Sequence, residues 1–378
     1  MSRVKFGDVV KDVKINIDRL NNPYEYYVAG DHMDSEDLTI HRKGCFTIDD
    51  VGPAFIRVFK PGQILYGSRR TYLKKIAVAD FEGVCANTTF VFETKDPHAF
   101  EQRLLPFIML SKDFTTWSIA KSKGSTNPYV LFSDLADFEF ELPSLEEQKV
   151  LADKLWAAYR LKEAYKKLLV ATDEMVKSQF IEMFGSPFEN NSEMVPLSSL
   201  CLINPSKPKG LDDSLSVSFI PMDRISEDGE YTEFETKLLK DVKKGFTFCA
   251  EDDVLFAKIT PCMENGKGAI LKGLSNGIGF GSTEFHVLRP ISGITNSEWL
   301  YFLTKLSGFR LDAAKNMTGT GGQKRVPSSY LLNFKVMRPQ LVAQKEFAEI
   351  VRQADKSKFE LKQCIENIDK VIKSLING

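Results

Sequence analysis

Histidine and cysteine are scarce in this chain, four and six among 378 residues. None of the cysteines (Cys45, Cys85, Cys201, Cys249, Cys262, Cys364) stands in a C-x-x-C pair, which argues against a zinc site or a disulfide framework. His32, His41, His98 and His286 form no sequence-local ligand pattern, so no metal site is assigned. No apolar run reaches transmembrane length. The opening Met1-Ser2-Arg3-Val4-Lys5 lacks the apolar segment of a signal peptide, which points to the cytoplasm. Charge of either sign is not in excess: 50 Lys and Arg stand against 51 Asp and Glu, a net of −1. That balance argues against a protein that coats nucleic acid indiscriminately, but localised basic faces offset by acid elsewhere are compatible with it.

Catalytic signatures are missing as well. Asn127-Pro128-Tyr129 is like the N-P-P-Y loop of adenine methyltransferases. It has one proline only, and no glycine-rich strand-to-helix turn fit for S-adenosylmethionine precedes it. Glu93-Thr94-Lys95 and Glu235-Thr236-Lys237 match half of a nuclease metal motif without its Pro-Asp partner, and read as solvated strand edges. Gly319-Thr320-Gly321-Gly322 lacks the spacing and the Gly-Lys-Ser/Thr ending of a phosphate-binding loop. No catalytic residue is assigned, and the chain reads as a non-enzyme.

What the sequence does have is a long helix made twice. Leu142-Pro143-Ser144-Leu145-Glu146-Glu147-Gln148 carries the S-x-x-E spacing of a capping box. No Pro or Gly follows until Gly185 and Pro187. At 1.5 Å per residue the helix over 144–184 would be about 60 Å long, which suits a spacer. The C-terminal stretch 341–378 repeats it at an offset of 196, with Pro339 and Gln344 answering to Pro143 and Gln148. Along the first copy Leu151, Leu155, Ala158, Tyr165, Leu169 and Val176 form an apolar seam. Its counterpart is Phe347, Val351, Ala354, Leu361, Ile365, Ile368 and Ile372, in steps of four and three. Lysine interrupts both seams at the same place, Lys162 and Lys358, so the two helices are expected to pair with each other.

The segments between repeat too. Residues 1–143 contain short apolar runs that read as strands, at 24–28, 55–59, 64–66, 76–79, 88–92 and 138–142, with one helix at 100–111 interrupted at Pro106. In 185–340, Phe219 to Ile225 answers to Tyr27 to Met33, Val254 to Ala257 answers to Ile64 to Gly67, and 298–309 supplies the helix. The expected architecture is α+β: two similar mixed α/β domains in tandem, 1–143 and 185–340, separated by two long helices in an antiparallel coiled coil with pseudo-twofold symmetry. Such a body suits a long, repetitive partner, and duplex DNA is the obvious one.

Candidate DNA contacts fall on turn-rich loops. In the first domain they are Arg69, Arg70, Lys74 and Lys75, with Ser125, Thr126 and Asn127. In the second they are Lys258, Thr260, Asn265 and Lys267, with Thr320, Gln323, Lys324 and Arg325. Guanidinium forks and amides of this kind read base edges or hold phosphates. The loops differ between the domains while the helices agree, as expected if each domain reads a different half-site on a common frame.

With its L-P-S-L-E-E-Q helix opening, the Phe180-Ile181-Glu182-Met183-Phe184-Gly185 helix end, the loop before each opening and the duplicated layout, the chain resembles the DNA specificity (S) subunit of type I restriction–modification systems. The resemblance spans essentially the whole chain; in the second opening Gln340-Leu341 stands where the first has its serine cap. It implies two target recognition domains, each reading one half of a split, asymmetric site through the major groove, with the helices fixing the spacer. It also implies no chemistry in this chain. Two modification (methyltransferase) subunits, which carry S-adenosylmethionine and methylate adenine, would dock on the exposed faces of 154–177 and 356–373. Restriction motor–nuclease subunits would join them. Two other readings stand beside it: a DNA-acting enzyme, either a nuclease or a fused methyltransferase, which S-adenosylmethionine binding by the isolated chain would favour, and a helical scaffold that binds no nucleic acid.

Overall fold

The structure is a computed structural model that describes every residue except 1, 19–20, 187–193, 232–233, 321 and 378. Pro187, expected to stop the first long helix, Gly321 of the second glycine-rich loop, and the expected helix end at Gly378 therefore lie outside the described residues. The chain divides into two compact units, Met1–Lys166 with Lys362–Gly378, and Lys167–Leu361. Each holds one lobe of strands and short helices together with part of each long helix.

Unit 1 is built on two four-stranded sheets. One has the order Val10–Asp12, Thr89–Thr94, Ile64–Gly67, Ile76–Val78 and is antiparallel throughout. The other runs Gly44–Cys45, Tyr26–Val28, Gly83–Ala86, Phe55–Phe59, with a parallel pair at its centre. Ser2–Lys5 pairs with Glu139–Leu142 as a separate ribbon, which fastens the first strand to the last. Unit 2 repeats the plan strand for strand. Its first sheet is Cys201–Ile203, Phe285–Pro290, Val254–Ala257, Gly268–Ile270. Its second is Glu235–Leu238, Ser216–Ile220, Ile278–Gly281, Thr247–Ala250, again with the parallel pair central. Its ribbon joins Met194–Pro196 to Lys335–Met337.

Strands rich in β-branched and aromatic residues were legible: Phe55–Phe59 and Ile64–Gly67 lie where those residues put them. Two helices differ from expectation. The segment at 100–111 is α-helical only over Leu105–Leu110, because Pro106 occupies the first turn, where its missing N–H costs nothing; it starts the helix instead of interrupting it. The segment at 298–309 is two helices, Ser297–Lys305 and Ser307–Lys315, parted by Leu306 in an extended conformation.

Both long helices are continuous, Leu145–Phe184 and Leu341–Asn377. The capping box opens the first: the Ser144 amide and hydroxyl both donate to Glu147 Oε2 (2.9 and 2.8 Å). The glutamine that recurs in each opening is a keystone. Gln148 is 1% exposed; its Oε1 accepts from the Glu101 amide at 2.9 Å, and its Nε2 donates to the carbonyls of Ala99 (3.2 Å) and Pro143 (2.9 Å). Gln344, 0% exposed, does the same with the Asn296 amide (2.9 Å) and the carbonyls of Ile294 (2.9 Å) and Pro339 (3.2 Å). Each long helix is thus seated on the lobe that precedes it.

Within unit 1 the start of the first long helix meets the end of the second. Leu155, Tyr159 and Ile372 are buried in one cluster, with Leu151, Ala158 and Ile368 against it. Within unit 2 the end of the first meets the start of the second, through Val176, Phe180, Phe347, Val351 and Ala354. Both arrangements are antiparallel. Tyr165, Leu169, Leu361 and Ile365 are half-buried, so no member of the expected seam is fully exposed. The two lysines that break it face acids on the other helix: Lys162 Nζ lies 2.6 Å from Asp369 in unit 1, and Lys358 Nζ lies 2.9 Å from Asp173 in unit 2. The second pair is the first with the two copies exchanged: the lysine is raised by the repeat offset (358 − 162 = 196) and the aspartate is lowered by it (369 − 173 = 196).

Candidate nucleic-acid interface

In unit 1 the fold brings the two expected loops into one patch. The turn after Ile64–Gly67 is stitched to the loop at 122–130: the Arg70 amide donates to the Pro128 carbonyl (2.7 Å), the Val130 amide to Ser68 (3.0 Å), and Thr71 Oγ1 meets Ser122 Oγ (3.1 Å). Arg70 adopts φ 50°, a left-handed conformation that costs a side-chain-bearing residue about 1 kcal/mol. The bond to Pro128 holds it there. Arg69, Arg70, Ser125, Thr126 and Asn127 are all exposed, and their side chains make no hydrogen bond or ion pair among the described residues. Lys74 and Lys75 are occupied instead. Lys74 Nζ bonds Glu36 at 2.6 Å, and Lys75 Nζ donates to the Gly30 carbonyl, so both tie the turn to the neighbouring loop at 29–37. Asn127-Pro128-Tyr129 is part of this clip, with Tyr129 bridged to both Lys123 and Arg69.

Behind that neighbouring loop lies an anchor the sequence did not reveal. Tyr159, on the long helix, donates its hydroxyl to Asp37 Oδ1 (2.6 Å) and accepts from the Leu38 amide (2.9 Å). Lys166 Nζ reaches Asp37 at 3.0 Å and Glu163 at 2.8 Å. Burial disfavours the charged form of Asp37, but the Tyr159 hydroxyl, the Thr39 amide and the Lys166 ammonium outweigh it and hold the carboxyl down to about 2. His41 completes the group, its Nε2 3.2 Å from Asp37 and 3.8 Å from Glu163. Asp37, His41 and Glu163 can bring ligand atoms within 4.8 Å of one another; Lys166 already supplies a cation to both carboxylates.

Unit 2 assembles the equivalent patch. The Thr260 amide donates to the Lys324 carbonyl (3.1 Å), Thr260 Oγ1 donates to the Gly322 carbonyl (2.8 Å), and the Val326 amide donates to Lys258 (2.9 Å). Arg325 bridges to Ile259 as Tyr129 does to Arg69. Its guanidinium forks onto Glu284, Nε to Oε2 at 2.9 Å and Nη2 to Oε1 at 2.8 Å, so it braces the loop. Asn265 Nδ2 bonds Glu227 (2.8 Å) and Lys267 Nζ bonds the Met222 carbonyl (3.2 Å). Thr320, Gln323 and Lys324 are exposed and Lys258 half-buried; their side chains have no such partner among the described residues. Each patch therefore divides into residues that fix the loops and residues whose side chains are uncommitted among the described residues.

A family model described as the type I restriction modification DNA specificity domain matches this chain twice, over 15–169 and 189–370. The chain belongs to that family. The two matches fall on the two strand lobes, each with a long helix attached. Among curated members, the specificity subunit of the Escherichia coli type I restriction enzyme EcoAI is 47% identical over 162 residues, which is 42% of this chain and 27% of the relative. That of the Escherichia coli enzyme EcoEI is 43% identical over 157 residues, 40% of this chain and 26% of the relative. The aligned stretches thus amount to about a quarter of those relatives' length. A solved structure from work on complex assembly and conformational transition of a type I restriction–modification system shares the fold, at 17% identity and TM-score 0.55, covering 99% of this chain and 96% of the other. The S subunit of the type I system of M. genitalium does so at 13% identity and TM-score 0.51, over 99% and 94%. Among the described residues of this specificity-family chain no helix is long and apolar enough to cross a membrane.

Proposed function

We propose that this chain is the DNA-reading, non-catalytic subunit of a type I restriction–modification complex, and that it recognises a split, asymmetric duplex target with one half assigned to each unit. The observation that carries this reading is the pair of loop patches. Both hang from the same strands of a duplicated sheet plan, yet they present different uncommitted groups: Arg69, Arg70 and Asn127 in unit 1, Lys258, Gln323 and Lys324 in unit 2. Guanidinium and amide groups suit base edges in the major groove, and lysines suit phosphates.

In this reading the domains 1–143 and 185–340 are the readers and the long helices set the spacer between half-sites. Two modification subunits bring S-adenosylmethionine and the methyl-transfer chemistry, and motor–nuclease subunits join for restriction. The first long helix offers them exposed apolar side chains, Leu161 in unit 1 and Leu168 and Met175 in unit 2.

The test is to exchange residues 1–143 for those of another family member and map the methylated sequence of the assembled complex. A change confined to one half of the target is expected; a change in both halves, or in neither, overturns the assignment. Within unit 1, Arg69→Ala should cost about 1–3 kcal/mol of binding at one base position if it reads an edge, whereas a phosphate contact would weaken all sequences alike.

A further inference from the structure

In unit 2 two cations lie beneath the candidate reading loop, and neither makes an ion pair among the described residues. Lys305 ends the helix Ser297–Lys305; its Nζ donates to the carbonyl of Gly266 (3.1 Å) and to that of Glu227. Arg310, on the next helix, is 7% exposed and donates through Nη1 to the Met263 carbonyl, while its Nε and Nη2 are buried with no hydrogen-bond partner. A buried cation without a carboxylate is a net cost to folding. Here both spend their bonds on main-chain oxygens of two loops, 261–267 and 226–230. The Tyr301 hydroxyl adds a bond to the Asp228 carbonyl (3.1 Å), and Gly229, at φ +85°, leaves room for it: a Cβ there would stand 2.0 Å from that oxygen.

Unit 1 solves the same problem without them. Phe309 and Phe114 occupy the same place in the two units. Each meets the ring of the central strand edge-on (Phe256 at 5.8 Å, Tyr66 at 6.0 Å) and then the ring before the closing ribbon (Phe334 at 4.8 Å, Phe138 at 5.2 Å). Counted from these anchors, Lys305 and Arg310 fall on Leu110 and Thr115. Neither can hold a loop carbonyl with a charge. In unit 1 the loops are joined directly, by Lys74 to Glu36 and by Lys75 to Gly30.

We infer that Lys305 and Arg310 are positioning residues that fix the main chain of 261–267 against 226–230 and thereby determine which bases unit 2 reads. The second half of that statement rests on the proposed DNA-reading role; the first does not. Held at Met263 and Gly266, the loop stays in one conformation beside the uncommitted Lys258, and Asn265 Nδ2 adds a further bond to Glu227. The charged donors act on carbonyls, so the loop's own side chains are free to vary without loss of the clamp.

The residues that unit 1 carries supply the variants, Lys305→Leu and Arg310→Thr, with Arg310→Lys as the conservative control. In the full-length chain, hydrogen–deuterium exchange of amides in 261–267 and 226–230 should quicken about tenfold or more in the first two variants. Exchange in 68–75 should stay unchanged, and Arg310→Lys should restore most of the protection. Unchanged exchange in 261–267, or equal quickening throughout unit 2, overturns the clamp. The complex assembled with its modification subunits is then given a pool of randomised duplexes, and the methylated sequences are read. Loss or relaxation of base preference in one half only supports the specificity role. Full preference despite a loosened loop overturns that role. A wild-type complex with no base preference refutes the DNA-reading proposal instead, while the exchange result still judges the clamp.

Discussion

The two units share their strand order to the last pairing and differ in what holds their loops. In unit 1 the loop at 29–37 is bolted to the long helix, through Tyr159 and Lys166 on Asp37, and to the neighbouring turn through Lys74 and Glu36. In unit 2 the equivalent loop leans on its own lobe, through Lys305 and Tyr301, while Lys305 and Arg310 hold the neighbouring loop at Gly266 and Met263. The sheets keep main-chain bonds that any strand-forming sequence can supply. The loops need side-chain braces, and those have been rebuilt from different residues in each copy. A duplicated scaffold thus conserves its ladder pattern and lets the fastening of its variable parts diverge.

That contrast can be broken first at the buried ion pairs. Among the described residues each unit has one whose carboxylate is almost wholly buried, Asp12 with Arg57 (3.0 Å) and Asp253 with Arg289 (2.7 Å), at positions that do not correspond. Arg289→Met leaves the fully buried Asp253 carboxylate without its fork and should cost about 3–5 kcal/mol in denaturant unfolding of unit 2. Arg57→Met should cost less. Burial already pushes the Asp12 carboxyl above its ordinary range, so it takes up a proton more readily once Arg57 is gone. Equal losses would mean that the two pairs are the same device after all.

The glutamine keystones mark where the units should agree. Gln148→Ala and Gln344→Ala each strand a buried amide and carbonyls, at about 1–3 kcal/mol apiece by thermal or urea unfolding. Losses that differ by more than a factor of two would show that the shared geometry is not a shared load.

A pH series separates the units again. Burial, with Arg310 beside it, pushes Lys305 down to about 8 from the usual 10.5. Below pH 8 the folded chain carries that unfavourable charge. Between pH 8 and 10.5 the unfolded chain holds the proton that the folded chain has lost, so stability rises with pH across that window. Wild type should gain about 1–2 kcal/mol there relative to Lys305→Met. A parallel course for the two proteins would place the ammonium in solvent.

The smallest effect is expected at the lysines in the helix seam. Asp173 and Asp369 are well hydrated, so Lys162→Met and Lys358→Met should each change stability by less than about 1 kcal/mol. A larger and unequal pair of losses, measured by double-mutant cycles with the two aspartates, would show that the matched pairs are not equivalent.

Much of the scaffold was legible because its signals are local. Ser144 and Glu147 sit three residues apart and announce a helix start; the four-three seam announces a partner helix; identical flaws at Lys162 and Lys358 announce a duplication. The braces were not legible, because their partners are remote. Tyr159 lies 122 residues from Asp37, Arg325 lies 41 from Glu284, and Arg310 lies 47 from Met263. Arg325 looked like a group awaiting a ligand and has Glu284. Arg69 and Arg70 lie in the turn the sequence assigned them to and stay unoccupied. Lys305 carried no signal beyond a basic residue in a last helical turn, a place where cations are ordinary.

The seating of Gln148 and Gln344 has one more consequence. Their grip on the preceding lobe is chiefly on peptide atoms, at Ala99 and Glu101 in one case and at Ile294 and Asn296 in the other. A joint that touches the backbone is blind to what the side chains spell. A lobe can drift residue by residue, or be replaced wholesale by a cousin, and still click onto the same shaft.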